Sequence, residues 1–496
     1  MSATATPIKT APAVPNVIGG KLVESTSKRR LAVTSPATGE AIGDLPLSSA
    51  SDLDAAVKAA AKAQVEWGRK PVKDRVQVLF KLKALFESET DRLAEIVSRE
   101  NGKTLEESKG SILRGVECIE FASSLPQLIP GQVLEVGRGV ECKLTRFPLG
   151  VVAGITPFNF PMMVPLWMAP LAIATGNAFI LKPSEQTPLS SVELANLWER
   201  AGLPPGIFSV VHGDREVVEA ICDHPDIKAI AFVGSTKVAQ LVYGRGSGQG
   251  KRVRAMGGAK NHLVVVPDAD PEMTANNVVA SATGCAGQRC MAASVLLAVG
   301  EVDHILDKIR EKMSTMVAGR EIGSVISAQA RDRISGFIER APKEGATVVL
   351  DGRKSISKDA ASDGYYIGPT IIDHATPDHE AACDEIFGPT LTIIRCKNLD
   401  EAIAFENQNQ YGNAAAIYTT SGYVAQYFSD RASAGMIGIN IGVPVPREPF
   451  PFGGWNNSAF GDGDITGMGA IDFWTRSKKI TTKWSDEHRT SGNWMS

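Results

Sequence analysis

Gly150-Val-Val-Ala-Gly-Ile155 and Ala178-Phe-Ile-Leu181 are short, nearly uninterrupted apolar runs, and the residues between them, near 162–175, read as a helix. Working outward toward the C-terminus, the pattern repeats: Phe208–His212 and Ile227–Gly234 are β-rich, with helical stretches near 188–201 and 214–222. Strands that are apolar on both faces belong to a sheet covered on both sides. Their alternation with helices implies βαβ units and a parallel, doubly wound sheet. A second series begins at Leu263–Val266 and continues through Val295–Val299, Thr347–Leu350, Leu391–Arg395, Ala415–Tyr418 and Met436–Ile439. The fold class is therefore α/β with two such domains.

On the N-terminal side the periodicity is helical. Ser51-Asp-Leu-Asp54 offers a capping serine with an acid three residues on, opening an Ala-rich helix to about Trp67. Pro71 starts another helix, and a third covers about 104–123, with Leu105, Ile112, Val116 and Ile119 on one face. Lys478–Trp484 reads as a terminal strand in need of a partner edge, which another subunit could supply.

Composition removes several classes of function. The 496 residues correspond to roughly three domain-sized units. With 52 basic and 55 acidic side chains the net charge is −3, so no general field draws in nucleic acid or an anionic membrane. Between Arg146 and Lys182 lie 35 uncharged positions, long enough to suggest a membrane span. Five prolines, at 148, 157, 161, 165 and 170, break that stretch, which reads instead as buried interior. Seven scattered cysteines, without C-x-x-C pairs or a histidine at ligand spacing, suggest neither a disulfide framework nor a metal site. The first fifteen residues have no secretion or transit signature, so a reducing, cytoplasmic setting is expected.

Two segments carry the chemistry. In Ala231-Phe-Val-Gly-Ser-Thr236 a strand ends at Gly234, and Ser235 is placed to cap the next helix, leaving N–H groups and a positive dipole end for phosphate. By contrast, Gly244-Arg-Gly-Ser-Gly-Gln-Gly250 follows a helix with the wrong spacing for a dinucleotide fingerprint and reads as a basic surface loop. Gly284-Cys-Ala-Gly-Gln-Arg-Cys290-Met291 is a small-residue turn in which Cys290, beside Arg289, is the candidate nucleophile. Cys285 lacks an adjacent arginine.

Thr156-Pro-Phe-Asn-Phe-Pro161, Leu181-Lys-Pro-Ser-Glu185, Phe232-Val-Gly-Ser-Thr236, Gly287-Gln-Arg-Cys290, Glu385-Ile-Phe-Gly-Pro389 and Pro451-Phe-Gly-Gly454 stand in the order and rough spacing of the aldehyde dehydrogenase superfamily, which this chain resembles. With Gly258-Ala-Lys-Asn-His262 and Gly287-Gln-Arg-Cys-Met291 it resembles, more narrowly, the CoA-acylating branch that oxidises methylmalonate semialdehyde. The resemblance implies an NAD-binding domain (1–129 and 149–258), a catalytic domain (259–455) and a small β oligomerisation element (130–148 and 472–496) joining a homodimer or homotetramer. It implies Cys290 as nucleophile and Asn159 as oxyanion donor. For NAD it implies Lys182, Glu185 and Gln186 at the adenosine ribose, Ser235 at the pyrophosphate, Glu385 at the nicotinamide ribose, and Thr156, Phe158 and Gly257 around the nicotinamide end.

One departure from the family pattern is informative. Hydrolytic relatives read Glu-Leu-Gly-Gly-Lys where this chain reads Met256-Gly-Gly-Ala-Lys260, so their general base falls on Met256, which takes no proton. Transfer of the acyl group to coenzyme A is then expected in place of hydrolysis. A carboxylate-bearing semialdehyde, malonate or methylmalonate semialdehyde, needs a local cation. The narrower resemblance offers Arg114, on the helical face of Gly110, Cys118 and Phe121, and Arg289. A structural pair of Arg114 with Glu107 or Glu117 is the alternative for that arginine. The competing functional readings are a hydrolytic NAD-dependent aldehyde dehydrogenase and a non-catalytic protein on the same fold.

Overall fold

The computed structural model describes residues 11–484. Its first sheet has eight strands in the spatial order Lys21–Val23, Asn16–Ile18, Phe208–Val210, Ala178–Lys182, Val151–Ile155, Ile227–Val233, Arg252–Met256 and Ala459–Phe460. The five strands from Phe208–Val210 to Arg252–Met256 run parallel, and antiparallel pairs close both ends. The chain enters this parallel set at Val151–Ile155, winds outward through Ala178–Lys182 to Phe208–Val210, then returns to Ile227–Val233 on the other side of its starting strand. That reversal opens a crevice beyond the carboxyl ends of Val151–Ile155 and Ile227–Val233, where doubly wound sheets place their ligands.

The second sheet has seven strands in the order Thr347–Leu350, Thr370–Asp373, Thr390–Cys396, Ala293–Val299, Asn261–Val265, Ala414–Tyr418 and Met436–Ile439, parallel except for the first pair. Apolar clusters cover both its faces. A third, antiparallel sheet joins Gln132–Gly137, Val140–Pro148 and Thr475–Lys483.

Five helices matter below: α1 (Ala50–Arg69), α2 (Leu105–Ser123), α3 (Met163–Ala174), α4 (Leu189–Arg200) and α5 (Thr236–Gly248). All twelve residues of α3 are buried, as expected of a helix apolar all round. Among the described residues no helix is long and apolar enough to cross a membrane. The uncharged stretch therefore forms strand, turn and α3 at the centre of the first domain's core.

Several local expectations are corrected. The cap of α1 is Ser49 with Asp52, two residues before the expected pair, because the Asp52 carboxylate also accepts from the Ser49 N–H at 2.9 Å. Leu105 lies exposed at the first position of α2, before its buried face begins, whereas Ile112, Val116 and Ile119 are buried. Gly244–Gly248 are the last turns of α5, not a loop. Residues 16–46 hold four short strands, where the sequence on the N-terminal side offered only helical periodicity. The terminal strand finds its partner edge within the chain, in a nine-residue register from Thr475↔Pro148 to Lys483↔Val140. The part of the expected oligomerisation element beyond residue 484 lies outside the described residues.

Candidate active site

A cavity of about 690 Å³ opens at the crevice of the first sheet and extends to the segments that lead into Ala293–Val299 and Thr390–Cys396 of the second. Its walls include Thr156, Phe158, Asn159, Lys182, Glu185, Gln186, Ser235, Gly257, Cys290 and Glu385. All the residues assigned to nucleophile, oxyanion donor and cofactor thus share one cavity, although they are spread from Thr156 to Glu385.

At one end, Lys182 closes its strand, and its Nζ pairs with Glu185 at 3.1 Å. Ser235 is the N-cap residue of α5, yet its side chain makes no capping bond, so its hydroxyl and the N–H groups of Thr236 and Lys237 stay available to an anion, while the Val238 N–H donates to the Ser235 carbonyl at 3.1 Å. Thr156 Oγ1 is buried, with no hydrogen-bond partner among the described residues, a hydroxyl that suits a bound polar group.

In the middle, Glu385 Oε1 accepts from Ala259 N–H at 3.0 Å, and burial pushes its carboxyl up to about 7 against the pull of Lys260 and Arg333. The approach depends on Gly258, where a Cβ would stand 2.6 Å from Glu385 Oε2. Phe387 meets Phe158 edge to face at 5.8 Å.

At the far end, the turn that carries Cys290 is held from several sides. Cys285, Ala286 and Gly287 all adopt left-handed backbone, and a Cβ at Gly287 would fall 2.0 Å from the carbonyl oxygen of Gly388. This contact presses the Cys290 turn against the segment carrying Glu385. The carbonyl of Cys290 accepts from Asn261 Nδ2 at 2.8 Å and Asn413 Nδ2 at 2.9 Å. Asn159 is buried and donates one Nδ2 proton to the Gln288 carbonyl at 3.0 Å, which leaves its second proton without a partner among the described residues. Burial and the Glu385 charge raise the Cys290 thiol to about 12, while its own N–H, Arg289 and the Met291 N–H pull the other way.

Sequence reasoning missed a clamp beneath Asn159. Asn101 Nδ2 donates to the Phe158 carbonyl at 2.8 Å, the buried Lys103 ammonium donates to the Asn159 carbonyl, and Lys103 Nζ lies 3.6 Å from the Phe160 ring centroid. Their only sequence signal is a polar Asn-Gly-Lys turn at a helix end.

The two arginines stand apart: neither is among the described residues that line the cavity. Arg114 pairs with Glu117 at 3.0 Å and with Glu448 at 2.8 Å. Arg289 donates through Nε to Cys285 Sγ at 3.2 Å, with Glu107 at 3.9 Å. Met256 is buried at the end of its strand.

A dinucleotide-sized cleft at the reversal of a doubly wound sheet, with a cysteine at its far end, defines a class: an α/β oxidoreductase with a thiol nucleophile. Residues 22–480 match the aldehyde dehydrogenase family, and the chain belongs to that family. It is 46% identical to malonate-semialdehyde dehydrogenase of Halalkalibacterium halodurans over 95% of this chain and 98% of that protein. A Sinorhizobium meliloti structure assigned as methylmalonate-semialdehyde dehydrogenase and solved with NAD is 42% identical, with a TM-score of 0.94 over 96% of this chain and 99% of that one. Methylmalonate-semialdehyde dehydrogenase of Oceanimonas doudoroffii, 40% identical, also superposes with a TM-score of 0.94, over 96% of this chain and 99% of its own.

Proposed function

We propose that this protein oxidises malonate or methylmalonate semialdehyde with NAD through a thioacyl intermediate on Cys290, and passes the acyl group to coenzyme A. The observation that supports the reading is the sequence Met256-Gly-Gly-Ala-Lys260 where hydrolytic relatives read Glu-Leu-Gly-Gly-Lys, in a chain that keeps Cys290, Asn159 and Glu385 on one cavity.

The residues fit NAD: the Lys182–Glu185 pair takes ribose hydroxyls, with Gln186 alongside, Ser235 and the α5 N-terminus take the pyrophosphate, and Glu385 takes the second ribose. A carboxylate at Glu185 disfavours a 2′-phosphate. Thr156, Phe158 and Gly257 surround the reactive end. Bound there, NAD supplies the hydride acceptor and a positive ring charge.

Cys290 acts as thiolate, so its proton must pass to solvent water before attack, and a positive charge entering the cavity lowers the thiol from about 12. Sγ bonds to the aldehyde carbon, and the carbonyl oxygen takes up negative charge held by Asn159 Nδ2 and the Cys290 N–H. Loss of hydride from that carbon leaves a thioester on Cys290. Water finds no base at Met256, whereas the ionised thiol of coenzyme A is itself a strong nucleophile. It attacks the thioester carbon and releases Cys290. A carboxylate β to the thioester carbonyl can leave as CO2, its electron pair passing into an enolate that takes a proton from water at carbon, so propionyl-CoA and acetyl-CoA are the expected products. Arg114 and Arg289 are the proposed cations for the substrate's carboxylate.

The exposed third sheet supports assembly as a homodimer or homotetramer. The test of the activity is NADH formation from malonate and methylmalonate semialdehydes with and without coenzyme A. Sustained turnover only with coenzyme A is expected, and equal turnover without it would establish the hydrolytic reading instead. Arg114→Leu is expected to weaken use of malonate semialdehyde far more than of propanal; equal losses would remove Arg114 from the carboxylate site.

A further inference from the structure

The guanidinium of Arg114 is fully engaged at its fork. Nη1 donates to Glu448 Oε2 at 2.8 Å and Nη2 to Glu448 Oε1 at 3.1 Å, a bidentate pair of the kind arginine makes with a free carboxylate. The remaining terminal N–H groups go to Glu117 at 3.0 Å and to the Pro446 carbonyl at 3.2 Å. The side chains are 13% and 8% exposed for Arg114 and Glu448, so the pair is shielded from water. Arg447 pairs with Glu117, which leaves two cations balanced by two carboxylates.

None of these four residues lines the reaction cavity, but the cluster is joined to its wall. Glu448 lies on a strap fixed at one end by Ser281 Oγ, which donates to the Gly442 carbonyl at 2.6 Å. At the other end the Phe452 ring packs 4.8 Å from Trp167, which lines the cavity with Cys290. Helix α2 carries Arg114 and rests on α3, the helix of Trp167, so closely that a Cβ at Gly115 would stand 2.6 Å from Leu166. The Arg114–Glu448 pair therefore ties the strap to the outer side of the cavity wall.

We propose that Glu448 is a specificity-determining residue: its carboxylate occupies the arginine fork that a carboxylate-bearing semialdehyde requires, and such a substrate binds there only by displacing it. This rests on the assignment of Arg114 to the substrate's carboxylate. One fork accepts one carboxylate bidentately, and a second held beside it in a dry site would be an uncompensated charge. The apparent affinity for the charged substrate is reduced by the fraction of molecules in which the fork is free. An uncharged aldehyde makes no use of the fork and escapes that reduction. Among the described residues Arg289 has no bidentate carboxylate partner and is the less committed cation.

The experiment compares Glu448→Gln, Glu448→Asp and Glu117→Gln with the parent enzyme, using malonate semialdehyde with coenzyme A, propanal with coenzyme A, and malonate as an inert inhibitor of propanal oxidation. Glu448→Gln is expected to lower the KM for malonate semialdehyde and the malonate inhibition constant together by about tenfold, the factor for a fork free in about a tenth of the molecules. The KM for propanal should change far less. Glu448→Asp keeps the charge and shortens its reach, so a smaller fall in the same direction is expected. Glu117→Gln removes a carboxylate from the same arginine without vacating the fork and should leave the inhibition constant nearly where it was. A fall in neither Glu448 variant, or an equal fall in Glu117→Gln, overturns the proposal. Absence of turnover with malonate semialdehyde in the parent would defeat the proposed function alone, since malonate inhibition of propanal oxidation still decides the role of Glu448.

Discussion

Asn159 has two side-chain protons and two tasks. One holds the Gln288 carbonyl at 3.0 Å and so fixes the turn that presents Cys290, and in the proposed reaction the other serves the developing oxyanion. Asn159→Ala is accordingly expected to lower kcat by about 10²- to 10³-fold, the cost of one preorganised oxyanion donor, in steady-state assays with saturating aldehyde. An effect confined to KM would place Asn159 in binding alone. Glu385 gives a pH-dependent prediction. Burial holds it at about 7, and the ionised form is the better acceptor for ribose hydroxyls. As the pH falls from about 8 to about 6, the KM for NAD should rise by up to about tenfold, tracking the loss of the carboxylate. Glu385→Gln should remove that dependence, and a slope unchanged in the variant would assign it to another group.

At the scale of elements, the site is a strand end, a turn and two helix termini held in register by polar contacts from elsewhere in the chain. The turn between residues 101 and 104 is the clearest case, because Asn101 and Lys103 hold successive carbonyls of the Phe158–Asn159 backbone. Burial lowers the Lys103 ammonium to about 8, opposed by the neighbouring Cys285. Above that pH the charge on Lys103 is lost and its hold on the Asn159 carbonyl weakens, so kcat should decline on the alkaline side with a midpoint of about 8. Lys103→Met should lower kcat by about 10- to 100-fold and abolish that decline, the scale expected of a small displacement of a catalytic group. A full alkaline decline in Lys103→Met would show that another group titrates there.

What was legible in the sequence follows from the same distinction. Val151–Ile155 and Ala178–Lys182 announce themselves because a strand covered on both faces must be apolar throughout. Asn16–Ile18 and Lys21–Val23 are three residues each, too short for a period, and are specified by the edge they join. Cys290, Asn159, Lys182 and Glu385 were readable as motifs. Lys103 and Glu448 were not, because each acts on residues brought near only by the fold: Glu448 stands 334 positions from the arginine it occupies.

For the whole molecule the third sheet poses the remaining question. Every residue of Gln132–Gly137 is exposed, among them Val133 at 60%, Leu134 at 67% and Val136 at 56%, and Ile480 on the terminal strand is 42% exposed. Both outer strands also keep a free edge among the described residues. Apolar side chains and unpaired strand edges together are what soluble proteins cover. The sheet is rooted in the cofactor domain, since Asn177, just before the strand Ala178–Lys182, accepts from Leu149 N–H at 2.7 Å and donates to the Trp474 carbonyl at 2.9 Å. A second copy of the chain, laid on this sheet, would thus bear on an element tied to the cofactor crevice. The parent should sediment at a multiple of its 52.8 kDa chain mass. Leu134→Asp with Ile480→Lys, which place charge on the exposed apolar positions of both outer strands, should shift it toward 52.8 kDa in light scattering without altering the helical circular dichroism. A parent already at that mass at micromolar concentration would mean that the sheet does not assemble, while a variant retaining the parent's larger mass would move the interface to another face.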